Sequence, residues 1–292
     1  LKFQCPLLLK KFGKLAKKIK KLILKQHREA FMKTFNYHSA KDVKEASKLS
    51  SSNSAFLAGG MTTLPSMKLG LASYKDLINL KNIKGLSGIK VSGKTVKIGS
   101  TTKHVEVAQS KEIKKAIPSL AALADGIGDP QVRNRGTIGG SVANNDPAAD
   151  YPSACIALNA VIHTNSRKIE AEKFFKGMFE TALKSGEIIE AIEFEIPKKS
   201  SYQKYPNPAS RYAIVGVYVA ECKSGVNVAI TGAKSCVYND KNLSSTLSKN
   251  FSSSAIDSVQ ISSSGMNSDI HASADYRANM IKVFAKKAVE AC

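Results

Sequence analysis

Tryptophan is absent from these 292 residues, and cysteine occurs five times without a single C-x-x-C pair. Cys5, Cys155, Cys222, Cys236 and Cys292 stand far apart, which argues against an iron–sulfur cluster or a structural zinc in this chain. The scatter is that of isolated thiols in an intracellular protein. The five histidines (His27, His38, His104, His163, His271) are as dispersed and read as core or surface imidazoles. No apolar run reaches the roughly 18 residues that span a bilayer. The Walker A pattern and the G-x-G-x-x-G dinucleotide fingerprint are both missing. No Ser-His-Asp, Cys-His or paired-carboxylate arrangement points to hydrolysis. Acidic residues are scarce, 23 against 44 Lys and Arg, for a net charge of +21.

Such a charge suits nucleic acid or an anionic membrane surface. Its distribution weakens that reading. Residues 1–31 hold nine lysines, one arginine and one glutamate. There Phe12, Leu15, Ile19, Leu22 and Ile23 recur at helical spacing against a Lys-rich face. This predicts an amphipathic helix for a membrane surface or for targeting. Beyond it the excess is scattered lysine, the pattern of solvated faces. No aromatic–basic cluster of the RNA-binding kind occurs, so nucleic acid is not an expected partner.

From Ser39 onward helices and strands alternate. Ser39-Ala40-Lys41-Asp42 opens a helix with a capping residue. A short buried strand over 55–58 leads into Ala58-Gly59-Gly60-Met61-Thr62. A helix follows over 63–71, with Pro65 in its first turn, then a strand over 76–80. A second unit starts near Gly88, with strands around Ser92-Gly93-Lys94 and helices over 101–110, 111–117 and 118–127. A helix over 152–158 and strands over 160–164 and 187–196 complete it. Pro206-Asn207-Pro208 punctuates the chain. A third unit then has antiparallel strands over 212–219 and 226–237, a Ser-rich stretch over 244–265 that reads as loop or as loop with a short helix, and a last helix over 272–291. The length fits two domains or one with subdomains.

The most specific feature is the run Gly128-Asp129-Pro130-Gln131-Val132-Arg133-Asn134-Arg135-Gly136. It continues as Thr137-Ile138-Gly139-Gly140-Ser141-Val142-Ala143-Asn144-Asn145-Asp146-Pro147-Ala148-Ala149-Asp150. With Ala58–Thr62 it offers two Gly-Gly turns flanked by hydroxyls. Glycine removes the Cβ, so backbone N–H groups can approach a ligand oxygen directly. Two such turns have the chemistry of two clamps on one diphosphate. An ordinary turn for either pair, and a hairpin turn for Thr137–Ser141, are the simpler alternatives.

These runs resemble the FAD-binding signature of the medium, flavoprotein subunits of molybdenum hydroxylases, the carbon monoxide dehydrogenase and xanthine dehydrogenase type. The family's A-G-G-x-S/T matches Ala58, Gly59, Gly60, Met61 and Thr62. Its longer pattern matches Gln131, Arg133, Asn134, Gly136, Thr137, Ile138, Gly139, Gly140, Asp146, Pro147, Asp150 and Pro152. The likeness runs from about Met32 to the C-terminus. Met32-Lys33-Thr34-Phe35-Asn36-Tyr37 resembles the family's usual start, so residues 1–31 are expected to be an extension outside the native chain or an interfacial helix.

The resemblance implies an α+β fold: a PCMH (vanillyl-alcohol oxidase)-type FAD-binding domain of two α/β subdomains, 32–87 and 88–206, plus a small α+β C-terminal domain over 207–292. It implies FAD held by the two Gly-Gly turns, with Thr62, Thr137 and Ser141 as hydroxyl donors. Asp150 would face the flavin side and accept from ribityl hydroxyls, with an N-cap for the next helix as its plainer role. Asn144 would reach the flavin or ribityl chain, or stabilise its own turn. Ile127 stands where the family often has an aromatic near the adenine, so it could pack but not stack. Ile189 would lie beside the cofactor or in the core. Lys204 would stand near the isoalloxazine, where a cation raises the flavin's potential; a surface lysine is the alternative.

The function implied is an oxidoreductase subunit that passes electrons through FAD. The 2Fe–2S clusters of a small partner subunit and the molybdenum cofactor of a large one would complete a dimer of heterotrimers. The external acceptor would be a quinone, NAD or oxygen. No metal site and no catalytic acid or base are expected in this chain. The implied location is cytoplasmic, with a peripheral position at the inner face of the membrane left open by the basic helix. Two other readings remain: a standalone FAD oxidoreductase of the same superfamily, and a basic membrane-surface or nucleic-acid-binding protein.

Overall fold

A computed structural model of the chain describes residues 32–292, so the basic helix expected before Met32 lies outside the described residues. Among these, no helix is long and apolar enough to cross a membrane.

The first sheet is parallel, in the order β1-β3-β2, from β1 (Asn36–Ser39), β2 (Ser54–Leu57) and β3 (Asp76–Asn79). Helix α1 (Val43–Leu49) joins β1 to β2 and α2 (Thr63–Lys68) joins β2 to β3. Asp42 caps α1 by accepting from the Glu45 amide at 2.7 Å, as expected from the sequence. Ala46, Ile78, Leu80, Ile83 and Leu86 bury the space between sheet and helix. Strand β1 escapes the sequence reading because its four residues are polar and mostly exposed.

The second sheet has the order β4-β5-β10-β6-β7 and is antiparallel. Its members are β4 (Ile89–Ser92), β5 (Thr95–Gly99), β6 (Val161–Thr164), β7 (Lys168–Glu170) and β10 (Ile189–Glu195). Between β5 and β6 run α3 (His104–Gln109), α4 (Lys111–Ala116), α5 (Pro118–Asp125), α6 (Pro130–Arg133), α7 (Ile138–Asn144) and α8 (Tyr151–Ala157). Helix α3 begins three residues later than expected from Thr101, because Ser100, Thr101 and Thr102 form a turn. After β7 come α9 (Ala171–Phe174) and a two-stranded hairpin, β8 (Phe175–Gly177) and β9 (Glu180–Thr181), which the sequence reading lacks.

The third sheet has the order β11-β12-β13-β14, all antiparallel. Its strands are β11 (Lys199–Pro206), β12 (Ala213–Cys222), β13 (Gly225–Thr231) and β14 (Tyr238–Asn239). Strand β11 pairs along its length with β12, so the change of sheet falls before Lys199, not after Pro206 as expected. Pro206-Asn207-Pro208 marks the turn between two strands of one sheet. Strand β13 ends at Thr231, short of the expected 237. Strand β12 is buried on both faces. Val215, Val217 and Val219 pack toward the third sheet's own core, and Tyr218, Ala220 and Cys222 toward the second. Period-2 alternation thus joins the two cores through one strand.

Helices α10 (Lys241–Lys249) and α11 (Ala274–Glu290) cover the outer face. Helix α10 is the short helix left open for the Ser-rich stretch, begun earlier, at Lys241. Asp240 accepts from the Asn242 and Leu243 amides, and Leu243 and Leu247 supply a buried stripe. The serines that made the segment read as loop lie largely on other faces; Ser244, the buried one, bonds Asn239 Oδ1 at 2.7 Å.

Candidate functional site

A cleft of about 490 Å³ opens between the first and second sheets. Strand β2 delivers Ala58–Thr62 to one wall. Gly60 has φ +74°, in the left-handed region that suits glycine. Gly59 is needed for a different reason: a Cβ there would sit 2.2 Å from the Arg135 carbonyl oxygen. The two signature runs touch at this point. Among the described residues, the amides of Gly59, Gly60, Met61 and Thr62 have no backbone acceptor. They are donors without a partner beside a cavity.

The opposite wall is built differently from the expected second turn. Gly139 and Gly140 lie in the first turn of α7, which is neither a hairpin nor a free loop. Ile138 donates to Thr102 O at 3.0 Å and Gly139 to Ser100 O at 2.8 Å. Gly140 donates to the Thr137 side chain at 3.2 Å, so Thr137 is the N-cap. These amides are therefore engaged within the chain. Gly139 is compulsory because a Cβ would lie 2.5 Å from that of Ser100. Gly140 instead faces open space, its hypothetical Cβ meeting only Thr137 Oγ1, at 3.0 Å. The donors this wall can offer are hydroxyls. Ser100 Oγ and Thr101 Oγ1 are buried without a hydrogen-bond partner among the described residues, and both residues line the cleft.

Every residue expected to bind the cofactor lines this cleft except Ile138 and Lys204. Ile138 is fully buried in the core beneath α7. Lys204 sits behind the wall. Its ammonium donates to Gly126 O and Arg211 O, both at 2.9 Å, and to the Asp150 carboxylate at 3.1 Å. Three donors are thus committed, and the ammonium clamps three segments together beside the cleft-lining Asp150. Ile189 is 5% exposed at the cleft edge, on the strand that also serves the core. Ile127 and Asn144 line the wall half-buried.

Asp150 precedes α8 but its side chain does not cap that helix. It accepts from the Tyr202 hydroxyl and from Lys204. Burial pushes its carboxyl above the ordinary carboxylate value, against the pull of Lys204 and Tyr202. Tyr202 reaches it by lying across β12 at Gly216, where any Cβ would meet its hydroxyl. Other signature residues work inside the protein. Arg133 donates to Ile127 O at 3.0 Å and Gly128 O at 3.1 Å. Asn134 donates to Pro130 O at 2.7 Å. Asn145 takes the left-handed conformation at the end of α7, with φ 44°.

Sequence reasoning missed Ser100, Thr101, His104, Glu187, Arg211 and Tyr212 among the cleft residues. The hydroxyl run Ser100-Thr101-Thr102 directly after a strand was the available signal. His104 packs 5.4 Å from the Tyr151 ring, under Gly136. Burial, then the Arg133 charge, lowers its pKa to about 4, so it is neutral near pH 7. Glu187 is held down to about 2, chiefly by hydrogen bonding from Arg167 and also by the Lys184 amide, Thr164 and Ser166. Nothing in the local sequence marks either role, since each depends on partners from other elements.

Comparisons with known proteins agree with this architecture. Residues 33–199 match the family described as FAD binding domain in molybdopterin dehydrogenase. The chain is 33% identical over 278 residues to the carbon monoxide dehydrogenase medium chain of Hydrogenophaga pseudoflava, covering 88% of this chain and 96% of that one. It is 30% identical over 271 residues to the nicotine 6-hydroxylase medium subunit of Paenarthrobacter nicotinovorans, covering 87% and 95%. A solved structure of carbon monoxide dehydrogenase from Hydrogenophaga pseudoflava superposes with a TM-score of 0.81 at 31% identity, over 89% of this chain and 98% of that one. With a family match across more than half its length and relatives spanned almost end to end, the chain belongs to the FAD-binding medium subunits of the molybdenum hydroxylases, a family of oxidoreductase subunits.

Proposed function

We propose that the cleft between the two signature runs holds FAD, and that the chain carries electrons between partner subunits and an external acceptor. The observation that supports this most is the pairing of unlike donors across one cavity. Open amides of Gly59 to Thr62 stand on one side, and buried, unpartnered hydroxyls of Ser100 and Thr101 on the other. An extended diphosphate satisfies both sets at once. A buried hydroxyl without a partner costs about 1–3 kcal/mol, so such groups are retained where a ligand completes them.

FAD supplies one- and two-electron chemistry that no side chain provides. The chain's own residues bind and orient it. Thr62, Thr137 and Ser141 add hydroxyl donors along the cleft, and Ile127 and Ile189 offer apolar contact. Asp150, fixed by Tyr202 and Lys204, presents an oriented acceptor for ribityl hydroxyls. Lys204 keeps that carboxylate in place and ties down the Arg211 carbonyl beside Tyr212. No proton transfer by this chain is required.

Relatives named as medium chains and medium subunits support assembly with a large and a small subunit. The partners are a molybdenum-binding large subunit and a small subunit with 2Fe–2S clusters, in a dimer of heterotrimers, with quinone, NAD or oxygen as final acceptor.

The test is to co-express the chain with its two partner subunits and release any ligand by heat for chromatography. Stoichiometric FAD, whose absorbance bleaches when the iron–sulfur partner is reduced, meets the expectation. Assembled protein without flavin, or flavin indifferent to the partner's reduction, refutes it.

A further inference from the structure

The β8–β9 hairpin exposes Met178 and Phe179 at its tip, 55% and 57% accessible. Its base is anchored: Phe174 and Phe175 are buried and meet edge-to-face with ring centroids 5.1 Å apart. The tip is also pinned from within. Asn145 is 1% exposed, and its side-chain amide donates to Gly177 O and Glu180 O, each at 2.8 Å. The Phe179 amide returns a bond to Asn145 O at 3.1 Å. Phe179 has φ 56°, a conformation unfavourable for a bulky L-residue. A buried side chain therefore holds an exposed aromatic in a strained pose. Asn145 stands between Asn144 and Asp146, both of which line the cleft, so the tip is tied to the cleft's own helix.

A basic groove adjoins the same hairpin, lined by Arg167, Lys168, Glu170, Lys173, Lys176 and Lys184. Lys176 belongs to β8, and Lys184 lies three residues past β9. Arg167 pairs with Glu187 and Lys173 with Glu170. Lys168, Lys176 and Lys184 are exposed and have no acidic partner among the described residues. An apolar anchor beside a groove of unmatched cations is the surface for a protein that offers an apolar pocket rimmed by carboxylates. Aromatic and Met anchors carry interface energy, and rim charges set orientation and association rate.

We propose that the Met178–Phe179 tip and the Lys168/Lys176/Lys184 groove form the docking surface for an acidic face of the iron–sulfur partner subunit. This rests on the electron-transfer reading above. A donor must dock beside the cleft, and the hairpin is fastened to the helix that forms its wall. Charge complementarity selects an acidic partner. The apolar tip distinguishes a protein pocket from a bare polyanion.

The test uses the co-expressed complex. Met178→Ser with Phe179→Asn keeps a residue that tolerates positive φ, so the hairpin folds at least as well as before. The expected result is at least about tenfold weaker retention of the iron–sulfur subunit on dilution, with unchanged thermal stability of the isolated chain. Lys176→Glu with Lys184→Glu is expected to slow association and to flatten its dependence on salt. Unchanged affinity in both variants overturns the proposal. So does binding to phosphatidylglycerol vesicles or duplex DNA that the same substitutions abolish while the subunit still assembles. FAD content in the same samples separates the two readings. A complex that loads FAD yet ignores the substitutions refutes only the docking surface. A complex that responds to them but holds no FAD refutes the cofactor reading.

Discussion

Lys204 Nζ lies 3.1 Å from the Asp150 carboxylate, with side chains 10% and 4% exposed. Two buried charges are matched to each other, and the remaining lysine donors go to the Gly126 and Arg211 carbonyls. Removing one partner leaves the other charge buried and unpaired. Lys204→Met is expected to cost about 3 kcal/mol in urea unfolding. Lys204→Met combined with Asp150→Asn should recover part of that loss, because the orphaned charge is gone. A loss below about 1 kcal/mol in the single variant, the range of an exposed pair, would show that the clamp is not formed.

The two glycines of the second run separate folding from binding. Gly139→Ala drives a Cβ to 2.5 Å from that of Ser100, so it should unfold or severely destabilise the chain. Gly140→Ala meets only the Thr137 hydroxyl, at 3.0 Å, on the cleft side. Alanine is favoured over glycine in a helix by about 1 kcal/mol, which offsets that contact. Melting temperature should be near wild type for Gly140→Ala, while the larger Gly140→Val should retain at least about tenfold less FAD after gel filtration. Equal loss of stability in Gly139→Ala and Gly140→Ala would contradict the assignment.

The cleft was legible because its walls depend on residues with few substitutes. Gly59, Gly60 and Gly139 are each fixed by a backbone approach or a positive φ, and such demands leave a mark in sequence. The sheets that carry the walls were partly legible. Strand β10 alternates apolar and acidic residues and was found, whereas β11, whose Lys199–Pro206 is polar on both faces, was not. Its place is set by pairing with β12, a long-range event with no local signature. Lys204 shows the same limit. Its position in the chain matched the expected basic residue, but only tertiary structure turns its ammonium inward to Asp150. The β8–β9 hairpin depends on Asn145, more than thirty residues upstream by its hydrogen bonds to Gly177 and Glu180.

Acid sensitivity should appear in two windows. His104 has a folded pKa of about 4 against 6.5 unfolded, so the unfolded chain binds the proton first as pH falls. Stability therefore drops between pH 6.5 and 4, by an amount on the order of 3 kcal/mol. Glu187 is depressed from 4.5 to about 2, so its contribution is complete above 4.5 and is lost as pH falls toward 2. Unfolding free energy measured across pH 7 to 4 should flatten in the upper window for His104→Phe. Glu187→Gln should lower stability at pH 7 and leave a shallower slope below 4.5. An unchanged upper slope in His104→Phe would mean that this imidazole is not the buried neutral group described.

Asn145 supplies two hydrogen bonds to the hairpin and also occupies a left-handed position, and the two contributions are separable. Asn145→Gly keeps the backbone conformation and removes the clamp. Asn145→Ala removes the clamp and strains the backbone as well. The glycine variant should cost about 1–3 kcal/mol, and alanine about 1 kcal/mol more. Hydrogen exchange should rise at the amides of residues 175–181 in both variants, with the ladder of β12 and β13 unaffected, because that sheet is held by its own pairing. Exchange that rises equally in the third sheet would mean that Asn145 supports the whole fold and not the hairpin alone.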